Sequence, residues 1–185
     1  FRIAAENSMK KTYLARLLEH HKEDQTLIIG VYVRQLTDIA KEFCLPLITG
    51  KTPNLEREEL YASFKLGKIK CLVVSKVANF AVDLPDANVA IEVCGTFGSR
   101  QEEAQRLGRI LRPKDGDNTA HFYALVTKDT KEQEFAAKRQ LFLTEQGYRY
   151  TIVDGDEFLR AEKSTYPSIG KSPRYENDGS KQVRH

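Results

Sequence analysis

The chain has 185 residues, a formal net charge of +3 and a hydrophobic content of 41%, which fit one folded domain with a well-solvated surface. This charge is too small to indicate nucleic-acid binding by itself, and no apolar run approaches the roughly 18 residues of a membrane helix. No signal-peptide pattern is present, and because the chain starts at Phe1 instead of Met we expect a piece of a longer protein.

The predicted elements alternate between helices and short strands, judged from apolar spacing and from helix-start signals. In chain order they are helix 8–21, strand 26–31, helix 34–43, strand 45–48, helix 53–66, strand 70–75, strand 88–93, helix 99–112, strand 120–126, helix 130–145, strand 148–153 and helix 156–162. Three helices carry a start signal: Thr52 before Pro53 as an N-cap, Ser99 with Glu102 as a capping box, and Thr130 with Gln133 as a second capping box.

This alternation predicts an α/β fold, in which right-handed crossovers place helices on both faces of a mainly parallel sheet. We expect one doubly wound domain over residues 1–160. The segment 161–185 is rich in Ser, Pro, Gly, Lys and Arg and poor in apolar residues, so it is predicted to be a disordered C-terminal extension.

Cysteine and histidine patterns predict no metal site. The cysteines (Cys44, Cys71 and Cys94) form no C-x-x-C pair, and the histidines (His20, His21, His121 and His185) lack metal-ligand spacing. An odd cysteine count without a disulfide pattern is typical of a reducing compartment inside the cell.

The segment Gly50-Lys51-Thr52 resembles the end of a P-loop, but Leu45 occupies the position of the required first glycine. A D-E-x-x box after a strand is also missing from the sequence. The sequence therefore predicts neither a phosphate cradle nor a carboxylate pair for Mg²⁺, and we expect no ATP hydrolysis by the chain alone.

The strongest chemical signal is a predicted arginine helix. Gln105, Arg109 and Arg112 are spaced i, i+4 and i+7, so they share one face. Two guanidinium groups one turn apart can bind phosphate oxygens bidentately, and arginine can stabilise the charge that develops in phosphoryl transfer. On spacing alone, a solvated basic helix face is the better explanation, because charged helix faces are common.

The run Gln105–Arg112 (QRLGRILR) resembles motif VI of superfamily 2 helicases, and its context over residues 97–114 is similar to the XPB helicases, the bacterial members more than the eukaryotic ones. Three segments nearer the N-terminus resemble other motifs of the family and occur in the family's order. Residues 27–35 resemble motif IV, residues 49–57 motif IVa and residues 72–88 motif V. The resemblance covers about residues 1–160. It implies the second, C-terminal RecA-like domain of an ATP-dependent DNA helicase, with no P-loop of its own.

The resemblance also implies roles on the nucleotide side. Arg109 and Arg112 match the arginine fingers that act on the γ-phosphate of ATP, and Gln105 matches a neighbouring nucleotide position. Asp83 matches an acid near the ribose, although a turn cap before a proline explains it as well. Arg106 matches an arginine that contacts neighbouring motifs or nucleic acid.

Five further residues match positions on the DNA path: Ser75, Lys76, Tyr32, Gly50 and Arg57. Alternatives remain from the residues themselves. Ser75 can cap a strand end, Gly50 can serve as a turn glycine, and Arg57 can pair on the surface with Glu56, Glu58 or Glu102.

The resemblance implies ATP with Mg²⁺, bound mainly by an N-terminal RecA-like domain of the same protein, and DNA as the substrate of 3′→5′ translocation in repair or duplex opening. A nuclease or a repair or transcription factor is the expected protein partner, and no membrane is involved. The expected location is the cytoplasm, at the bacterial nucleoid, or the nucleus for a eukaryotic source. Two alternatives are a non-catalytic RecA-like module that binds nucleic acid or protein, and a restriction or remodelling translocase, which would share motif VI without the context over residues 97–114.

Overall fold

The computed structural model describes residues 7–75, 87–94, 120–145 and 149–161. Its strands are β1 (Thr26–Gly30), β2 (Leu47–Ile48), β3 (Cys71–Ser75), β4 (Val89–Glu92) and β5 (His121–Ala124). Its helices are α1 (Met9–His20), α2 (Val33–Glu42), α3 (Asn54–Lys65), α4 (Lys131–Glu145) and α5 (Gly155–Arg160). Over these ranges, no helix is long and apolar enough to cross a membrane.

The strands form one sheet in the order β2-β3-β1-β4-β5, and every described pairing is parallel. The predicted α/β fold with a parallel sheet is therefore confirmed. The three central strands β1, β3 and β4 are almost wholly buried, as expected for strands covered on both faces.

Alternate strand residues supply two separate apolar layers, because successive side chains point to opposite faces of a sheet. Ile28, Val73 and Ile91 pack with helices α1 and α2 on one face; the helix residues in this layer are Leu14, Leu17, Leu36 and Ile39. On the other face, Leu72 and its neighbours pack with Phe64 of α3, whose side chain is fully buried. Each of these helices places its apolar residues three or four positions apart, which is why one face of each is buried.

Two sequence predictions are wrong in detail. Residues 149–154 are not a strand, although a strand over 148–153 was predicted, and Ile152 is 75% exposed. The N-cap of α3 is Pro53 and not Thr52. Thr52 does not cap the helix, because its hydroxyl accepts a hydrogen bond from the Thr49 amide in the preceding loop.

The start of α4 differs slightly from the predicted capping box. The Thr130 hydroxyl accepts from the amide of Glu132, and the Gln133 side chain accepts from the amide of Asp129, one residue earlier than in a regular box. The predicted arginine helix and the C-terminal extension from residue 162 onward lie outside the described residues. The domain boundary near residue 160 thus stays a prediction.

Candidate functional site

The carboxyl edge of the sheet is the candidate site, because the segments that follow parallel strands all meet there and ligands of such sheets bind there. Gly50 follows β2, Ser75 ends β3, and Tyr32 follows β1. Since β2, β3 and β1 are neighbours in that order, three predicted DNA-side residues from distant parts of the sequence line one edge of the sheet.

Ser75 and Tyr32 are held at this edge by the backbone. Ser75 is fully buried and aligned with Gly30 of β1. Tyr32 is half-buried and has extended backbone angles, so it marks the turn from β1 into α2 as the N-cap residue. Gly30 allows this close turn, since a β-carbon there would meet the Leu36 side chain at 2.9 Å and Val93 at 3.0 Å.

The loop Thr49–Thr52 at the same edge is closed by its own hydrogen bonds. The Thr49 amide donates to the Thr52 hydroxyl over 2.9 Å, and the Lys51 amide donates to the Thr49 hydroxyl over 3.2 Å. A P-loop directs such amides at phosphate, so this Gly-Lys-Thr segment does not have the geometry of a nucleotide cradle. The sequence had already excluded a P-loop on spacing, and the structure gives the physical reason.

Arg57 holds this loop from within the domain. Only 8% of Arg57 is exposed, and its guanidinium donates to the carbonyl oxygens of Thr49 (3.4 Å) and Thr52 (3.2 Å). Within the described residues its hydrogen-bond partners are therefore backbone carbonyls and not the neighbouring glutamates considered from the sequence. The arrangement joins the first turn of α3 to the loop.

The remaining predicted site residues lie outside the described ranges: Lys76, Asp83, Gln105, Arg106, Arg109 and Arg112. Their roles stay predictions, and so does the binding of ATP and Mg²⁺ that depends on them.

Sequence reasoning missed a buried ion pair at the end of β4. The Lys10 ammonium contacts the two carboxylate oxygens of Glu132 at 3.0 and 2.8 Å and donates to the Val93 carbonyl over 2.9 Å. Lys10 is 5% exposed and Glu132 3%. A signal was present, since Lys10 lies on the same helical face as the buried Leu14 and Leu17, where a solvated lysine is not expected.

A second buried ion pair lies beside it. Arg139 of α4 contacts Glu92, the last residue of β4, over 2.7 Å, and its guanidinium carbon is 6.0 Å from the centre of the Phe122 ring. Both charged side chains are about 5% exposed. The sequence had assigned α4, with Arg139, to packing or to a partner surface, and Arg139 belongs to the packing. Burial is also the main cause that raises the pKa of nearby Tyr150.

A histidine cluster lies at the opposite, amino edge of the sheet. The His21 ring contacts Asp24 through Nδ1 and the Tyr123 hydroxyl through Nε2, both at 2.8 Å, and packs against the rings of His20 and His121. Burial lowers the pKa of His21, and the hydrogen bond to Asp24 opposes this only in part. In the described part of the chain, no group of three or more His, Cys, Asp or Glu side chains could hold a metal ion.

Residues 3–172 match the family model described as the ERCC3/RAD25/XPB C-terminal helicase. The chain is 52% identical over 157 residues to a DNA 3'-5' helicase XPB of Kineococcus radiotolerans, covering 85% of this chain and 28% of that protein. It is 51% identical over 159 residues to the DNA 3'-5' helicase XPB of Mycobacterium tuberculosis, covering 86% and 29%. It is 42% identical over 144 residues to a general transcription and DNA repair factor IIH helicase/translocase subunit XPB of Drosophila melanogaster, covering 74% and 18%.

Among solved structures, the C-terminal domain of the DEAD-box protein Dbp5 is similar with a TM-score of 0.65 at 15% identity, covering 75% of this chain and 81% of that one. The C-terminal part of the Fun30 ATPase domain is similar with a TM-score of 0.57 at 20% identity, covering 85% and 50%. These likenesses show the RecA-like fold of a helicase C-terminal domain. The chain spans less than a third of the length of the curated relatives above.

Proposed function

The chain belongs to the ERCC3/RAD25/XPB C-terminal helicase family, and we propose that it is the second motor domain of an ATP-dependent DNA helicase or translocase. One observation carries the DNA side of this proposal: Gly50, Ser75 and Tyr32, predicted separately from three motifs, line one edge of the sheet. Parallel sheets of this kind bind their ligands at that edge.

In this proposal the ATP site is shared between two domains. An N-terminal RecA-like domain of the same protein binds ATP and Mg²⁺, and Arg109 and Arg112 reach the γ-phosphate when the domains close. Gln105, Arg106 and Asp83 lie on the nucleotide side of the same cleft. The closed Thr49–Thr52 loop supports this division, because the Thr49 and Lys51 amides donate to threonine hydroxyls of the same loop and are not arranged to bind phosphate.

DNA runs along the carboxyl edge and is held mainly through its phosphates, so sequence preference is weak. Lys76 and Tyr32 contact the strand, the buried Ser75 supports this edge from the end of β3, and Gly50 lets the DNA approach the loop closely. Arg57 serves DNA binding through the loop that it holds, because its guanidinium is already engaged by loop carbonyls.

The direction of movement and the biological role follow from the relatives' names. Two are DNA 3'-5' helicases and others are named as subunits of a transcription and DNA repair factor. We propose 3′→5′ translocation in DNA repair or duplex opening, with a nuclease or a repair or transcription factor as a partner, at the nucleoid of a bacterial source. A strand-displacement assay with 3′-tailed and 5′-tailed duplexes measures the polarity, and a preference for 5′ tails would contradict it.

The ATP site is tested with the whole protein that contains this chain. Arg109→Ala and Arg112→Ala are each expected to reduce kcat of DNA-stimulated ATP hydrolysis by about 10³-fold, the order found for arginine fingers. Arg109→Lys, which keeps the charge without the bidentate fork, should recover little. The exposed Arg149→Ala is the matched control and should retain its activity. Near-normal ATPase in both alanine variants would contradict the assignment.

The DNA side is tested by the salt dependence of binding. Lys76→Ala is expected to weaken binding of all sequences equally and to lower the slope of log K against log salt by about 1, as loss of one phosphate contact does. The exposed Lys68→Ala is the matched control. An unchanged slope in Lys76→Ala would remove this residue from the DNA path.

A further inference from the structure

The buried pair Lys10–Glu132 joins the two helical layers around the end of β4. Lys10 belongs to α1, which covers one face of the sheet with α2. Glu132 belongs to α4, whose Arg139 lies over Phe122 on the opposite face. The two side chains therefore meet beyond the end of the strand, at the carboxyl edge.

The hydrogen bonds of this pair reach two backbone segments, one that follows β4 and one that follows β5. The Lys10 ammonium donates to the Val93 carbonyl, one residue past the end of β4, as well as to both Glu132 oxygens. Glu132 also accepts from the amide of Thr127, in the segment between β5 and α4. Lys10, Glu132 and Val93 form what we call the β4-end node.

Stability alone does not account for the node. Removing two charges from water is costly, and a pair of well-packed apolar side chains of similar volume usually serves stability as well or better. What apolar side chains do not supply is direction, because a hydrogen bond fixes a carbonyl orientation that dispersion contacts leave free. The β4-end node thus sets where the backbone of Val93 points.

The orientation of the Val93 backbone matters because of the segment that follows it in the sequence. Val93 and Cys94 are the last described residues before the segment 95–119, which includes Arg109 and Arg112. Arginine fingers that stabilise a transition state must be placed accurately, since a shift of about 1 Å can lower the rate of the catalysed reaction on the order of 10²-fold.

We propose that Lys10 and Glu132 are positioning residues for ATP hydrolysis, which fix the end of β4 and so the place from which the chain continues to the arginine fingers. This rests on the proposed function, since it needs Arg109 and Arg112 to act on ATP. Neither Lys10 nor Glu132 touches the nucleotide in this account.

The test uses the whole protein with the paired change Lys10→Met/Glu132→Leu, which removes both charges and keeps most of the volume. The matched control is Lys11→Met/Glu42→Leu, which removes an exposed ion pair from the neighbouring position of the same helix. Melting is measured first, and ATPase is then measured well below the melting temperature, so that every variant is folded.

We expect kcat of DNA-stimulated ATPase to fall about 10-fold or more in the β4-end variant, with KM for ATP and the Kd for DNA within about 3-fold of the parent, the pattern of a lost transition-state interaction. The control should stay within about 2-fold. Lys10→Arg, which keeps the charge and the donors, should restore most of kcat. A purely structural role would lower the melting temperature while leaving kcat of the folded enzyme unchanged.

Amide hydrogen exchange reports on the node without any catalysis. The Val93 amide donates to the Ile29 carbonyl and the Leu125 amide to the Glu92 carbonyl, both over 2.9 Å. We expect both to exchange about 10-fold faster in the β4-end variant, because local opening becomes easier. Unchanged exchange would show that the pair does not fix β4, and faster exchange with unchanged kcat would show that the fixation does not serve ATPase; either result overturns the proposal.

Two further variants separate this proposal from its premise. If the paired change prevents folding, Glu132→Gln keeps the shape and an acceptor and should show the same loss of kcat in smaller measure, whereas an unchanged kcat rejects the proposal. Normal ATPase in Arg109→Ala and Arg112→Ala would reject the proposed function itself. Exchange at Val93 and Leu125 would then still decide whether the pair fixes the strand end.

Discussion

Arg139→Met should show how strongly the second buried ion pair depends on both partners. The change removes the cation that lies 2.7 Å from Glu92, a carboxylate whose side chain is about 5% exposed. Breaking a buried pair in this way costs about 3–5 kcal/mol, and loss of the contact with Phe122 adds on the order of 0.5–1 kcal/mol. In a domain of this size, 3–5 kcal/mol lowers the melting temperature by about 6–20 °C.

The double change Glu92→Leu/Arg139→Met removes both charges and should return stability to within about 1 kcal/mol of the parent, because no charge is left buried alone. Urea unfolding followed by circular dichroism measures all variants, with the exposed pair Glu19–Lys22 replaced in parallel as the control. A penalty below about 1 kcal/mol for Arg139→Met would refute the reasoning. So would a double variant as unstable as the single one, since the penalty would then come from lost packing.

Three further predictions follow from burial. Burial lowers the pKa of His21 below its ordinary value of 6.5, so stability is fully present above that pH and is lost progressively as pH falls below it; as the pH is lowered, the unfolding free energy should fall less steeply in His21→Gln. Gly155→Ala places a β-carbon against the Tyr13 hydroxyl and should lower the unfolding free energy by about 1–3 kcal/mol in urea, whereas a neutral result would show that Tyr13 moves freely. Cys44 is exposed and should react with a thiol reagent within minutes by mass spectrometry, while Cys71, whose pKa burial raises to about 12, should stay unmodified near neutral pH.

The parts of the fold that the sequence predicted correctly are those with a strong local signal. Leu27-Ile28-Ile29 and Leu72-Val73-Val74 are continuous apolar runs, and both are buried central strands. The run at 148–153 (YRYTIV) favours a strand through its aromatic and β-branched residues, but a strand at a sheet edge depends on whether a neighbour accepts it, and Ile152 remains exposed instead. Local composition does not contain that information.

The residues of the candidate site also differ in how far the sequence could predict them. Gly50 and Ser75 were identified from motifs, and the parallel sheet explains why they share one edge. Arg57 was predicted to lie near the DNA path or to pair with a glutamate; among the described residues, its guanidinium donates to carbonyls of the loop that precedes its own helix. The pair Lys10–Glu132 joins residues 122 positions apart, and no spacing rule selects one partner among the 26 acidic residues of the chain. Only the packed layers determine that choice.

The contact between the first and last described helices has a consequence for synthesis on the ribosome. Tyr13 packs edge-on against Phe158, and Arg16 donates to the Ala161 carbonyl 145 residues later. At about 5–20 residues per second, α1 leaves the ribosome roughly 7–30 s before these partners exist. During that interval Tyr13 and Arg16 lack these partners, whereas Leu14 and Leu17 can already pack against β1 and α2. The contact between α1 and α5 can therefore form only after all five described strands have been synthesised.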